Sequence, residues 1–261
     1  MKTTPLSGRA LVLVGHGSAR NPGTRLPICA NVQRIKALNL FDEVRCGLWK
    51  EEPHVSITLD KVKSRDVYVV PFFIADGYYT RNVIPEQMKL SGELTLKNGQ
   101  RIHYTRSVGG HPRFAHLLHQ HAVEAGWRTG DTLVVLGHGT GRNPASGTNV
   151  YLQTERLRRQ HPGEDIRTMF IDEAPFVQTI WETSTTPRIV IVPLFIADGW
   201  HVTETIPEDL DLVDNRATRG GRELILTTAV GTDPGLTEVI LARVQECDPT
   251  GFSLDSNRIK V

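Results

Sequence analysis

The chain has 261 residues, of which 39% are hydrophobic and 23% charged, with a formal net charge of +1. This is the composition of an ordinary globular protein, without the basic excess of a nucleic-acid binder and without any apolar run near the roughly 20 residues that span a bilayer. Three cysteines with no CxxC pair argue against a disulfide framework, a zinc ribbon or a four-cysteine cluster held by this chain alone, and point to a reducing, cytosolic setting.

Residues 10–14 form a short apolar run (ALVLV) that suits a strand buried on both faces of a parallel sheet. It is too short for a signal-peptide core. A helix is expected over 25–38, a strand over 44–48, a helix over 53–62 and a strand over 67–70. Pro85 then sits where the first turn of a helix tolerates proline. A strand over 102–107 and a helix over 113–125 follow. After 126–130 the order returns. Strands are expected over 132–136, 166–170, 189–192 and 223–228. Helices are expected over 149–159, 175–182 and 235–245, with Pro207 in the place of Pro85. Helices between parallel strands imply right-handed crossovers and an open α/β sheet. The expectation is two domains, 1–128 and 129–261, each a parallel four-stranded sheet flanked by helices. No low-complexity linker separates them, so the two are expected to pack together.

The order returns because the sequence does. GHGSARNP at 15–22 recurs as GHGTGRNP at 137–144, and VPFFIADGYYTRNVIPE at 70–86 as VPLFIADGWHVTETIPE at 192–208. TRSVGGHP at 105–112 recurs as TTAVGTDP at 227–234, and the offset is 122 each time. That period is too long for a solenoid and marks two whole domains. The differences between the copies then carry information. The sharpest is Tyr79 in the first copy against His201 in the second.

In open α/β sheets ligands bind beyond the carboxyl ends of the strands. His16 and His138 lie just past the first strand of each copy, and Tyr79 and His201 just past the third. His138 and His201 therefore converge on one crevice. Two histidines at adjacent strand ends suit a divalent transition metal or proton transfer near neutral pH. Gly137 and Gly139 allow the sharp turn and the close approach of a flat ligand. Trp200 and Tyr78 offer either a stacking surface or packing. Asp76 and Asp198, in the shared IADG, read as turn residues. His111, His116, His119 and His121 read as a solvated helix face, with an auxiliary metal site as the minor alternative. Cys29, Cys46 and Cys247 read as core or surface thiols.

A GHGS or GHGT loop after an apolar strand, then a VPxF strand end running into G-x-H and an IP pair, resembles the class II tetrapyrrole metal chelatases. Within them it is most similar to the sirohydrochlorin branch, over nearly the whole chain and in both copies. The resemblance implies two flavodoxin-like domains facing each other across a cleft. It implies a small tetrapyrrole substrate, cobalt, iron or nickel as the inserted metal, and no organic cofactor. It also implies that His138 and His201 hold the metal and accept pyrrole protons. Only the second copy has the full pair, so the active site is expected there. His16 and Tyr79 then line the opposite wall or remain from the duplication. A carboxylate accompanies the pair in this family. Glu173 is the first candidate and Asp172 the second, with Glu51 as the counterpart in copy one. A helix N-terminal acid explains Glu173 as well. The carboxylate-rich substrate calls for cations, for which Arg20, Arg142 and Arg81 are placed, although the shared RNP also shapes a loop.

A non-catalytic tetrapyrrole or metal carrier is the alternative from another class. A hydrolase using Ser18 or Thr140 lacks the G-x-S-x-G elbow. Insertion into protoporphyrin is disfavoured by the short, strongly repeated halves.

Overall fold

The computed structural model describes residues 6–19, 21–139 and 147–247. The first copy opens with β1 (Leu6–Gly15), α1 (Leu26–Ala37) and β2 (Phe41–Leu48). It continues with the short helix α2 (Val55–Thr58), β3 (Asp66–Pro71) and α3 (Ile84–Met88). It closes with β4 (Leu94–Lys97), β5 (Gln100–Tyr104) and α4 (Arg113–Glu124). The second copy repeats the order. It runs β6 (Thr132–Gly137), α5 (Thr148–Gln160), β7 (Asp165–Phe170), α6 (Ile180–Thr183) and β8 (Arg188–Pro193). It then runs α7 (Ile206–Asp209), β9 (Arg216–Arg219), β10 (Arg222–Leu226) and α8 (Leu236–Cys247).

Each copy builds a sheet of five strands, in the orders β2-β1-β3-β5-β4 and β7-β6-β8-β10-β9. Four strands of each are parallel, as expected. The fifth, β4 or β9, is antiparallel and closes the edge as a hairpin with β5 or β10. The expectation of four strands missed it. Its turns are Asn98–Gly99 and Gly220–Gly221, all at positive φ, which is the two-residue turn that matches strand twist. The central strands carry the core because both their faces are covered. Side chains from Ala10 to Val14, Leu133 to Leu136 and Ile189 to Val192 are fully buried. The expected helices at 53–62 and 175–182 shrink to single turns, α2 and α6, each joined to a 3-10 turn.

The two compact units do not follow the expected division at 128/129. One unit contains β1–β5 with α8, and the other contains β6–β10 with α4. Each copy's closing helix belongs to the other copy's sheet. Buried polar contacts specify this. In the first unit Arg243 on α8 is 4% exposed. It donates to Ser107 O through Nε at 2.9 Å and Nη2 at 2.7 Å. Thr237 Oγ1 donates to Asn31 Oδ1 on α1 at 2.8 Å. In the second unit α4 buries Phe114, Leu117 and Leu118. His121 Nε2 on the same helix meets Asp233 Oδ2 at 2.7 Å.

Candidate functional site

The site lies at the carboxyl ends of β6 and β8 in the second unit. β6 is fully buried to Gly137, and the chain then turns outward at His138. Gly137 is required by space. A Cβ there would sit 2.6 Å from Val150 Cγ2 and 2.8 Å from the Phe170 ring. Gly139 is required by conformation as well, with φ +74° and the Glu173 Cγ 2.6 Å from where its Cβ would be. The second imidazole comes from the π-helical turn His201–Thr205, which His201 opens. Such turns are rare and concentrate at functional sites. The first copy has the same turn at Tyr79–Val83.

His138 Nε2 and His201 Nε2 face each other at 3.0 Å, and the rings are nearly perpendicular, with centroids 4.5 Å apart. His138 Nδ1 lies 2.8 Å from Gly139 O. A carbonyl only accepts, so Nδ1 carries the proton and Nε2 presents its lone pair. Asp172 Oδ2, 3.4 Å from the same Nδ1, reinforces that tautomer and makes the imidazole a better donor to a metal. Burial, and then the adjacent His138, hold the His201 imidazole below the usual histidine range, with Asp172 opposing. The neutral ring is thereby favoured, which is the form that ligates a metal. His201 Nδ1 is buried with no hydrogen-bond partner.

The arrangement fits a divalent metal. With metal–nitrogen bonds of about 2.0–2.1 Å, two nitrogens 3.0 Å apart subtend an angle of roughly 90–95° at a shared ion. That is the angle between neighbouring ligands in a tetragonal or octahedral shell. Among the described residues no group of three or more His, Cys, Asp or Glu side chains is placed to hold a metal. Two imidazoles, with Asp172 beside one of them, are what the site offers a metal among the described residues.

The other expected site residues separate. Glu173 packs beneath the loop. Its Cγ lies under Gly139 and its Oε1 within 2.8 Å of a Cβ built on Gly147, just before α5. Its counterpart Glu51 accepts from Ser18 N at 2.5 Å and lies 3.7 Å from Arg25 Nη1. In both copies this glutamate braces the glycine loop, whereas Asp172 is the carboxylate beside the imidazoles. Copy one has Lys50 where copy two has Asp172. His16 and Tyr79 pair as His138 and His201 do, edge to face with centroids 4.8 Å apart. His16 Nδ1 donates to Gly17 O at 2.7 Å. Trp200 is 68% exposed beside His201. Arg81 lines a cavity with Asp76 and Tyr104 in the first unit. Arg20, Arg142 and Thr140 lie outside the described residues.

Asp76 and Asp198 are clamps. Asp76 Oδ1 accepts from Ser107 N at 2.9 Å, and Asp198 Oδ1 from Ala229 N at 2.6 Å. The histidine cluster is a solvated face only at His116, which is exposed, whereas His111 is buried. His121 is buried against Asp233. His119 stacks on His161 at 4.0 Å with Trp127 alongside, because α4 lies against the end of α5.

A family model described as CbiX matches residues 10–125 and again residues 132–247. A protein of Halobacterium salinarum described as a probable sirohydrochlorin cobaltochelatase is 36% identical over 279 aligned residues, covering 96% of each chain. A Deinococcus radiodurans crystal structure, of a multi-domain protein with structural similarity to chelatases, superposes with a TM-score of 0.77 at 26% identity. The match covers 91% of this chain but 54% of that one, so this chain spans about half of its length. The sirohydrochlorin chelatase SirB of Bacillus subtilis subspecies spizizenii, in complex with cobalt, shares the fold at 18% identity. Its TM-score is 0.69, with 91% and 94% of the two chains covered. With one family model laid along both copies and a relative similar from end to end, the chain belongs to the CbiX family.

Proposed function

We propose that this chain is a sirohydrochlorin chelatase, inserting a divalent metal into the metal-free tetrapyrrole with release of two pyrrole protons. The observation that carries this is the His138–His201 pair, two imidazole nitrogens 3.0 Å apart with the first tautomer set by Gly139 O. The pair holds the incoming metal, and cobalt is placed first because the Halobacterium relative carries that name. Iron and nickel follow, since a two-imidazole site does not by itself separate the three. Holding the metal at one face of the ring turns insertion into a matter of position. As the metal moves from the imidazoles to the pyrrole nitrogens, the freed Nε2 atoms become bases able to accept the departing protons. Asp172 is the accompanying carboxylate, and its charge stabilises an imidazolium formed at either ring. Glu173 holds the loop that carries His138. Arg20 and Arg142 are proposed for the acidic groups of the substrate, and Trp200 for its face. The reaction is placed in the cytosol, which three cysteines outside any disulfide suit.

The test is an anaerobic visible-spectrum assay of sirohydrochlorin with Co²⁺, Fe²⁺ and Ni²⁺. Metal-dependent conversion should fall at least 100-fold in His201→Ala and persist in His16→Ala. Wild type that binds the tetrapyrrole yet never exceeds the uncatalysed rate would overturn the enzyme reading in favour of a carrier.

A further inference from the structure

Cys29 lies on α1 and Cys46 on β2, and the fold brings the two to one shared cavity. Both are free thiols and only partly buried. Both line one open cavity of about 310 Å³, with Lys36, Arg45 and Lys61 around them. The backbone there is held firmly. Cys46 pairs in register with Leu13 of β1. The next residue, Gly47, has no room for a side chain, since its Cβ would meet Thr58 Oγ1 at 2.5 Å.

The scaffold does not require these thiols. At the matching places in the second copy stand Tyr151 and Thr168. Tyr151 packs on Phe170 with ring centroids 5.4 Å apart, and Thr168 Oγ1 donates to Thr154 Oγ1 at 2.8 Å. The same junction is thus closed by an aromatic contact and a hydroxyl pair. The first copy places two sulfurs there and surrounds them with cations, which disfavour a metal cation.

We propose that Cys29 and Cys46 form a redox-active dithiol, a modification site that closes reversibly to a disulfide when the protein meets a hydroperoxide. The thiolate of one cysteine attacks a peroxide oxygen, the O–O bond breaks, and a sulfenic acid forms as the other oxygen takes a proton and leaves as water, or as the alcohol of an alkyl hydroperoxide. The second thiol attacks that sulfur, the S–O bond breaks, a water leaves, and the S–S bond closes. The peroxide accepts the two electrons that the thiols lose. Burial, and then the neighbouring Cys29, push the Cys46 thiol up, which suits Cys46 to the resolving step. The bond ties α1 to β2 on either side of Gly15, whose built Cβ lies 3.2 Å from Ile28 Cδ1 on α1 and 3.3 Å from Leu48 Cδ2 on β2. It therefore stiffens the loop of His16 and leaves the His138–His201 pair untouched.

The whole chain is treated with a few equivalents of hydrogen peroxide, alkylated, and mapped by mass spectrometry without reduction. The expected product is one peptide pair joining Cys29 to Cys46, two mass units light, reversed by dithiothreitol and absent in Cys29→Ser and Cys46→Thr. Cys247, the third thiol, serves as an internal control and stays alkylatable. The proposal fails if both cysteines remain alkylatable, if each oxidises separately to a sulfinic acid, or if Cys247 is linked to them to the same extent. Circular dichroism of each variant ensures that loss of the cross-link is not loss of the fold. This test is independent of whether the protein inserts metal.

Discussion

At the scale of single residues, the two copies are a natural substitution experiment. His16 keeps the tautomer and orientation of His138, but its partner is the Tyr79 phenol rather than an imidazole. Tyr79→His should therefore create a second pair, and equilibrium dialysis with Co²⁺ should show stoichiometry rising from one towards two per chain. Asp172→Asn keeps the shape beside His138 and removes the charge. Outer-shell partners of ligating histidines typically contribute about 10–100-fold in metal affinity, and a titration of Co²⁺ should show a loss in that range. Gly139→Ala forces a left-handed backbone and a clash with Glu173. A cost of about 1–3 kcal/mol is expected in urea unfolding, together with weaker metal binding. The two histidines and the two glycines were legible in the sequence, because GHG and GWH sit at matching strand ends. The split of roles between Asp172 and Glu173 was not. Adjacent residues leave a strand end in different directions, and only the packed loop shows which carboxylate reaches the imidazoles.

At the scale of elements, the copies keep a cross-strand ion pair and reverse its charges. Asp66 on β3 faces Arg101 on β5, with Nη2 2.8 Å from Oδ2. In copy two, Arg188 on β8 faces Glu223 on β10 at 3.0 Å. Arg101 and then Arg188 are the leading causes that hold their carboxylates below the usual range. The folded form of each carboxylate thus binds its proton less readily than the unfolded chain. The stabilisation is present above the unfolded value and is lost as pH falls through the lower, folded one. Asp66→Asn should cost roughly 0.2–1 kcal/mol at pH 7, since Arg101 is half exposed. The gap from wild type should close as pH drops below the ordinary aspartate value near 3.8, read by thermal unfolding across pH 2–7. The central strands were legible as continuous apolar runs. The edge strands β4 and β9 were missed, because they are short and mostly exposed and carry no apolar run; only the turns Asn98–Gly99 and Gly220–Gly221 signalled them.

At the scale of the molecule, the exchange of α4 and α8 decides what folds with what. Arg243 is buried in the first unit and holds Ser107 O with two hydrogen bonds. Arg243→Ala should cost roughly 1.5–3 kcal/mol, the range for hydrogen bonds made by a charged group. Hydrogen exchange should quicken in β5 and α8 while β6–β8 stay protected. A first copy folded as residues 1–128 alone would leave β6–β8 no less protected but would not involve β5 at all. The sequence by itself determined the duplication, the alternating α/β order, the buried central strands and the two histidines of the candidate site, because periodicity and motif spacing are local properties of the chain. Tertiary structure alone decided which sheet each closing helix covers, which carboxylate stands beside His138, and that Cys29 and Cys46 line one cavity. Those outcomes depend on contacts between residues distant in sequence, where side-chain direction and packing, rather than local pattern, select the partner.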